Sequence, residues 1–327
     1  MLLPLIQRPE LSPNRQAFPL VEEFLAKSER LRIEVHKQNG VTVIDCGVHV
    51  AGGWEAGVLF ASICLGGLAQ VKLQWFDFNG LRWPAVEVVT DHPLRACLAS
   101  QYAGWPINHG KLFAMASGPG RALVHHGSLF ELLGYEDHCE KGIICLESEA
   151  LPTDEVVQSL VAACHCDPTN LYILVAPTAS QVGTVQIAAR AMETGLSKLM
   201  ELDYNLGKID SGWGICPVSP VASDNLSALG RTNDALLYGS TVLYNVRDED
   251  RLDSLVKQVP SCSSKEYGRP FIEVYQEYGN FYDIDRLLFS PAEVWLCNSN
   301  NGQSFHAGSL RPDILRTSFG LAIDSYK

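Results

Sequence analysis

The chain has no long block of like charge and no uninterrupted apolar segment of membrane length. No five consecutive residues carry the same charge, which excludes an acidic or basic tail as an interaction segment. Residues 56–71 are uncharged, but they contain three glycines and are fewer than the roughly 20 residues that span a bilayer. The apolar start at residues 1–6 is broken by Pro4 and lacks a basic lead-in, so we expect no signal peptide.

Basic residues are few in this sequence. The 25 Lys and Arg against 37 Asp and Glu give a formal net charge of -12, which repels nucleic acid and anionic membrane surfaces. We therefore expect neither as a partner. Hydrophobic residues at 46% and charged residues at 19% exclude extensive disorder and predict a soluble, cytoplasmic, globular protein.

Signatures of metal and covalent catalysis are also missing. No Gly-x-Ser-x-Gly elbow and no His-Glu-x-x-His motif occurs, so serine-hydrolase and zinc-protease mechanisms gain no support. Cys164-His165-Cys166 contains metal-ligand residue types but lacks the usual cysteine spacing and a second pair, and His125-His126 is equally weak. We expect no metal and no bound cofactor.

Ten cysteines are present, and their surroundings predict free thiols. Five of them lie inside apolar runs, where free cysteine behaves as a small hydrophobe: Cys46, Cys64, Cys97, Cys145 and Cys297. A chain of 327 residues also needs no disulfide to supplement its core.

Strand-like and helix-like patterns alternate along the chain, which predicts an α/β (α+β) fold with two mixed lobes. The short, almost wholly apolar runs 142–146 and 171–176 are typical of central strands covered on both faces. Further strands are predicted at 41–45, 71–78 and 86–90, and two more within 235–246. Helices are predicted at 55–65, 153–163, 180–202 and 248–258, with the least structured stretches at 205–225 and 260–270. The lobes are placed at residues 1–170 and 171–327, either of which could be discontinuous.

Arg190 and Glu193 are the first candidates for a functional site. Their spacing puts them on one face of a helix that is otherwise apolar nearly all round, and such a helix is buried. Burial raises the pKa of a carboxyl and a neighbouring guanidinium lowers it, so Glu193 could be a general base that is ionised at working pH. The alternative is a structural ion pair, which spacing alone leaves open.

Two glycine-containing clusters are further candidates. Gly118 and Gly120, followed by Arg121, could form a backbone nest for an anion, although Gly-Pro-Gly is more often a simple turn. The polar residues after Gly230, up to Asp234, form either a binding cluster or a capped turn before a strand.

Several segments together resemble the methenyltetrahydromethanopterin cyclohydrolase family. They keep the family's order along the chain: Ile63-Cys-Leu-Gly-Gly-Leu68, Cys97-Leu-Ala-Ser-Gln-Tyr-Ala-Gly-Trp105, Ala116-Ser-Gly-Pro-Gly-Arg-Ala122, Ala176-Pro-Thr178, Gly230-Arg-Thr-Asn-Asp-Ala235 with Tyr238-Gly239, and Phe289-Ser-Pro-Ala-Glu293. Each segment alone is weak, whereas the ordered set is specific.

The resemblance implies a homotrimeric enzyme that interconverts 5,10-methenyl- and 5-formyl-tetrahydromethanopterin by adding water, with the pterin between two α/β lobes. It implies catalysis by Arg190 and Glu193 and a substrate-contacting segment at Ser100, Gln101 and Tyr102. The pterin derivative is then substrate and one-carbon carrier, and methylotrophic formaldehyde oxidation is the implied setting. A non-catalytic pterin-binding protein and a cyclohydrolase acting on the folate carrier are the alternatives.

Overall fold

The structure is a computed structural model that describes residues 11–110, 112–125, 127–248, 251–279 and 283–321. The chain divides into two compact units: residues 1–71 with 90–187, and residues 72–89 with 188–327. Each unit has helices and a six-stranded sheet that mixes parallel and antiparallel pairs, which confirms the α/β class with two lobes. The division lies at 187/188 instead of the expected 170/171, and residues 72–89 join the second unit.

The elements are named in chain order. The α-helices of the described residues are α1 (Pro13–Ala26), α2 (Ser28–Leu31), α3 (Trp54–Cys64), α4 (Arg121–Val124), α5 (Ser128–Leu133), α6 (Asp154–Cys164), α7 (Gln181–Ala188), α8 (Ala191–Glu201), α9 (Asn225–Gly239), α10 (Leu252–Leu255), α11 (Phe271–Tyr278) and α12 (Pro312–Ser318). The strands are β1 (Glu34–Gln38), β2 (Val41–Asp45), β3 (Gln70–Asp77), β4 (Arg82–Thr90), β5 (Trp105–His109), β6 (Leu112–Ser117), β7 (Gly142–Glu147), β8 (Leu171–Ala176), β9 (Ile209–Pro217), β10 (Thr241–Val246), β11 (Glu293–Asn298) and β12 (Ser304–Gly308). A π-helix spans Leu94–Gln101.

The sheet of the first unit is covered on both faces. Its strand order is β1-β2-β8-β7-β6-β5, with β8 parallel to both β2 and β7. Neighbouring residues of β7 alternate between two apolar clusters: Ile143 packs in one that includes residues of α1 and α3, and Ile144 in one that includes residues of α6. This burial on both faces explains why β7 and β8 are apolar at nearly every position.

The sheet of the second unit has the order β12-β11-β10-β9-β4-β3. Strand β10 is parallel to β11 and antiparallel to β9. Along β10 the even-numbered residues are buried and the odd-numbered ones are more exposed. The more exposed side carries Trp213, Leu243 and Trp295, which are paired in register across three adjacent strands.

Most of the predicted elements are confirmed within one residue at each end, including α3, α6, β2, β7 and β8. The turn Asn39-Gly40 joins β1 to β2, and both residues have positive φ (51° and 88°), as a two-residue type I′ hairpin requires. The uncharged segment 56–71 forms most of α3, the turn after it and the first two residues of β3. No helix within the described ranges is long and apolar enough to cross a membrane.

Three predictions of secondary structure are wrong. Residues 235–239 form the end of α9 and not a strand, so Gly230 and Asp234 lie inside a helix. The stretch 205–225, expected to be irregular, contains β9. The predicted helix over 248–258 is limited to α10 and a 3₁₀ turn at Val256–Gln258, with residues 249 and 250 outside the described residues.

Candidate active site

The helix predicted over 180–202 is interrupted where the candidate pair begins. Helix α7 ends at Ala188, and α8 starts at Ala191. Arg190 stands at the N-cap of α8 with φ -90° and ψ 2°, a sparsely populated bridge conformation that many active-site residues adopt. Its carbonyl accepts the first helical hydrogen bond of α8, from the N–H of Thr194 at 3.0 Å.

Arg190 and Glu193 form a buried ion pair in the first turn of α8. Arg190 Nη1 lies 3.4 Å from Glu193 Oε2, and the two residues are only 6% and 7% exposed. This contact is longer than the roughly 2.7–2.9 Å of a tight charge-assisted hydrogen bond. The first turn of a helix also favours a carboxylate, because the backbone N–H groups give that end a partial positive charge. The fold therefore brings the predicted pair together in a largely water-excluded place.

Ser197 is a further neighbour of the pair that the sequence analysis missed. Its Oγ donates to Glu193 Oε1 at 3.3 Å, from one helical turn further along α8. The spacing i, i+4 would have indicated this contact, because such residues face each other on a helix. Glu193 thus has an arginine at one carboxylate oxygen and a hydroxyl at the other.

Helix α8 packs closely against the sheet of the second unit. Tyr244 of β10 donates its hydroxyl to the carbonyl of Met192 at 2.7 Å, and a Cβ on Gly195 would lie only 2.3 Å from that hydroxyl. On β9 the glycine at 212 leaves room for Met192, whose Sδ would be 2.7 Å from an added Cβ. Glycine in a strand commonly marks such a close approach. These contacts fix the backbone between Arg190 and Glu193.

The other predicted binding residues lie together in the first unit. Ser100 and Gln101 end the π-helix, a distortion that is frequent at functional sites, and both are buried. The N–H of Gly118 donates to the carbonyl of Ser100 at 2.8 Å. Arg121 donates to the carbonyl of Tyr102, and its Cζ lies 5.4 Å from the centre of the Tyr102 ring.

The backbone N–H groups of the expected anion nest make hydrogen bonds within the fold. The N–H of Gly118 is used by Ser100, and the N–H of Gly120 donates to the carbonyl of Ile143 at 2.7 Å. Arg121 is 1% exposed. The backbone here forms a turn that supports residues 100–102, and its two glycine N–H groups are engaged within the fold.

A carboxylate at the carboxyl end of β7 was also missed by the sequence analysis. Glu147 Oε1 accepts from Thr178 Oγ1 at 2.5 Å, and Oε2 accepts from Gln186 Nε2 at 3.4 Å. Strands β7 and β8 are parallel, so their carboxyl ends share one edge of the sheet, the edge where ligands bind in open α/β sheets. Since a carboxylate has about four acceptor positions, Glu147 retains capacity for a ligand.

The thiol and imidazole clusters do not gather into a metal site in the described part of the chain. No group of three or more His, Cys, Asp or Glu there is arranged to hold a metal ion. All ten cysteines are free thiols, as expected. His126 of the pair His125-His126 lies outside the described residues.

Comparison with known proteins identifies the family. The family model described as cyclohydrolase (MCH) matches residues 12–319. The chain belongs to the cyclohydrolase (MCH) family. Proteins named methenyltetrahydromethanopterin cyclohydrolase are similar over nearly their whole length. The one from Methanosarcina barkeri is 43% identical over 317 residues, with 95% of this chain and 99% of the relative covered. The relative from Methanocaldococcus jannaschii is 41% identical over 319 residues, with 95% and 98% covered.

Membership of the cyclohydrolase (MCH) family makes the chain an enzyme of the hydrolase class and confirms the resemblance seen in the sequence. It disfavours a non-catalytic binding protein. The assignment of Arg190, Glu193 and residues 100–102 to particular steps stays a prediction, now with a defined geometry.

Proposed function

We propose that the chain interconverts 5,10-methenyl-tetrahydromethanopterin and 5-formyl-tetrahydromethanopterin by reversible addition of water. The substrate's amidinium-like carbon is already electrophilic, so the protein has to supply a positioned water and a base. The buried Arg190–Glu193 pair at the start of α8 is the observation that carries this proposal. The names of the relatives support the pterin as substrate.

In the proposed mechanism Glu193 removes a proton from water as the oxygen attacks the methenyl carbon. The C–O bond forms and gives a hydroxyl adduct. This hydroxyl then loses its proton as the C=O bond forms, the C–N bond to N10 breaks and N10 takes up a proton, which leaves the formyl group on N5 and releases one proton overall. Arg190 orients the water and then faces the formyl oxygen, where negative charge develops during attack. Ser197 holds the second carboxylate oxygen of Glu193 in place.

Arg190 also limits how tightly the enzyme binds the substrate in its ground state. The methenyl carbon is cationic, so a lone carboxylate beside it would stabilise the substrate as well as the transition state. Uniform stabilisation of that kind does not raise turnover. The guanidinium 3.4 Å from the Glu193 carboxylate offsets part of the attraction. Both charges of the pair are therefore needed.

We assign recognition of the pterin to the first unit. Residues Ser100, Gln101 and Tyr102 are proposed to contact the reacting part of the substrate. Glu147 suits the ring, because a carboxylate can accept two parallel hydrogen bonds from the 2-amino group and N3–H of a pterin. The contacts of Arg121 favour a role in supporting Tyr102 over direct binding of the carrier's acidic groups.

The decisive test is Glu193→Gln, followed by loss of the near-ultraviolet absorbance of the methenyl substrate. General base catalysis contributes about 10² to 10⁴-fold, so kcat should fall by at least about 10²-fold. Glu201→Gln is the matched control, since it makes the same change on the exposed part of α8 and should leave turnover unchanged. Near-normal turnover of the Glu193→Gln variant would refute the assignment, and its thermal unfolding establishes that it is folded.

The carrier is tested by comparing the methenyl forms of tetrahydromethanopterin and tetrahydrofolate. We expect the first to be hydrolysed with a kcat/KM at least a hundredfold higher. Comparable rates with both would favour the folate alternative.

We further propose a homotrimer. The row of Trp213, Leu243 and Trp295 is an apolar surface on an acidic chain, with Trp213 52% and Trp295 36% exposed, and subunit association would cover such a surface. Trp213→Glu should therefore shift the mass measured by light scattering from trimer to monomer. An unchanged trimer would place the interface elsewhere.

For the cell we propose a cytoplasmic location and net flow towards the formyl product in formaldehyde oxidation. Cell fractionation tests the location. Loss of formaldehyde tolerance on deletion of the gene tests the direction, and unimpaired tolerance would contradict it.

A further inference from the structure

Two cysteines at the end of α6 form a thiol pair that the proposed reaction does not use. Helix α6 ends at Cys164, and His165 follows in the left-handed conformation (φ 51°, ψ 34°), which turns the chain back at once. The side chains of Cys164 and Cys166 interact with each other across this turn. Cα atoms two positions apart in a chain are at most about 7 Å from each other. Disulfides join residues whose Cα atoms are roughly 4.4–6.8 Å apart.

The two thiols differ in exposure. Cys164 is 4% exposed and belongs to the apolar cluster on the α6 face of the first sheet, whereas Cys166 is half-buried. Gly142, at the start of β7, is buried and packs close to both cysteines. A Cβ there would lie 3.5 Å from Cys166 Sγ and 3.6 Å from Cys164 Cβ. Because Cys166 is the more exposed of the two thiols, a small reagent can reach it before Cys164.

The hydrogen bonds also distinguish the two sulfurs. The hydrogen bond from Cys164 lowers the pKa of the Cys166 thiol most, and the N–H groups of Cys166 and Gly142 act in the same direction. Burial and the charge of Asp167 act in the opposite direction. The hydrogen bond and burial raise the pKa of Cys164. Because the thiolate is the nucleophile and Cys166 is the more exposed of the two sulfurs, Cys166 is the attacking thiol.

We propose that Cys164 and Cys166 form a reversible thiol–disulfide site for low-molecular-weight disulfides, with Cys166 as the attacking thiol and Cys164 as the resolving thiol. The Cys166 thiolate attacks one sulfur of a disulfide such as glutathione disulfide, forming a mixed disulfide and releasing one glutathione thiolate. Cys164 then loses its proton and attacks Cys166 Sγ, which releases the second glutathione. The two cysteines lose two electrons in total, and the reagent's disulfide gains them.

The test exposes the reduced, full-length protein to glutathione disulfide near neutral pH, blocks remaining thiols with an alkylating agent and maps the peptides by mass spectrometry. Cys262 is the internal reference, because it is an exposed thiol whose pKa burial raises. We expect the Cys164–Cys166 peptide to lose both alkylation sites at least about tenfold faster than Cys262 acquires glutathione. Dithiothreitol should restore both sites. One pKa unit between two thiols changes the thiolate population about tenfold.

Three serine variants separate the roles of the sulfurs. Cys164→Ser should stop at a mixed disulfide of Cys166 with glutathione, whereas Cys166→Ser should leave Cys164 alkylatable. Cys262→Ser should oxidise at the pair like the parent protein. The proposal is overturned if the Cys164–Cys166 peptide stays fully alkylatable, or if Cys164 reacts equally well in the Cys166→Ser variant.

Discussion

Asp234 in α9 provides a quantitative test of the second unit's packing. It is 1% exposed, and its Oδ1 accepts from the N–H of Phe271 at 2.7 Å, at the start of α11. Burial is the main cause that raises the pKa of Asp234 from 3.8 to about 7, and Glu273 adds to it, while the hydrogen bonds from Ser318 and Phe271 oppose it. The carboxyl therefore holds its proton in the folded chain at pH values where the unfolded chain has lost it.

The sign and size of the effect follow from this difference. Between about pH 4 and pH 7 the folded state binds more protons than the unfolded state, so stability falls as the pH rises. At about 1.4 kcal/mol per pKa unit, the shift to about 7 costs on the order of 4 kcal/mol once the pH exceeds 7. Roughly 2.5 kcal/mol of this should develop between pH 5 and pH 8.

Asp234→Asn should remove that dependence, because the amide oxygen can still accept from Phe271 but carries no charge. The free energy of unfolding is measured with urea at pH 5 and pH 8 at one protein concentration. The variant's value should exceed that of the parent by more at pH 8 than at pH 5. The reasoning fails if variant and parent lose the same stability between the two pH values, or if the variant is less stable at pH 8.

Three further changes test how the proposed catalytic pair is positioned. Arg190→Lys should lower kcat at least tenfold, since a compact ammonium does not reproduce the planar guanidinium fork; equal turnover would mean that charge alone matters. Gly195→Ala should lower kcat and the unfolding temperature together, because its Cβ would lie 2.3 Å from the Tyr244 hydroxyl; an unaffected kcat would show that α8 can move without consequence. Ser197→Ala should lower kcat only about tenfold, since a hydrogen bond to a charged group contributes about 1.5 kcal/mol; a loss as large as that of Glu193→Gln would make Ser197 catalytic.

The buried strands and amphipathic helices could be predicted from the sequence because each has one unambiguous signal. Strands β7 and β8 are apolar throughout since both faces are covered, and α6 begins at Thr153, whose side chain caps it. The run at 235–239 was misassigned because a short apolar run ending in glycine fits a strand as well as a buried helix. The decisive signal lay further back, at Asp224, which accepts from the N–H of Ser227 and starts α9.

The candidate site was predictable only where its members are close in sequence. Arg190 and Glu193 are three residues apart, so helical periodicity alone puts them on one face. No Gly or Pro marks the break before Arg190 in the sequence. The packing of α8 against Tyr244 and β9 determines where the helix restarts. Glu147 meets Thr178 and Gln186 across 31 and 39 positions, and no local pattern connects them.

The assignment of residues 72–89 to the second unit has a consequence during synthesis. Strands β3 and β4 leave the ribosome early, yet β9, the neighbour of β4 in the sheet, begins about 120 residues later. At roughly 5–20 residues per second, the edge of β4 that pairs with β9 waits about 6–24 s for its partner, while the remaining strands of the first unit's sheet are synthesised. A nascent chain stalled between β8 and β9 therefore presents an uncovered strand edge, and such edges attract chaperones or other nascent chains.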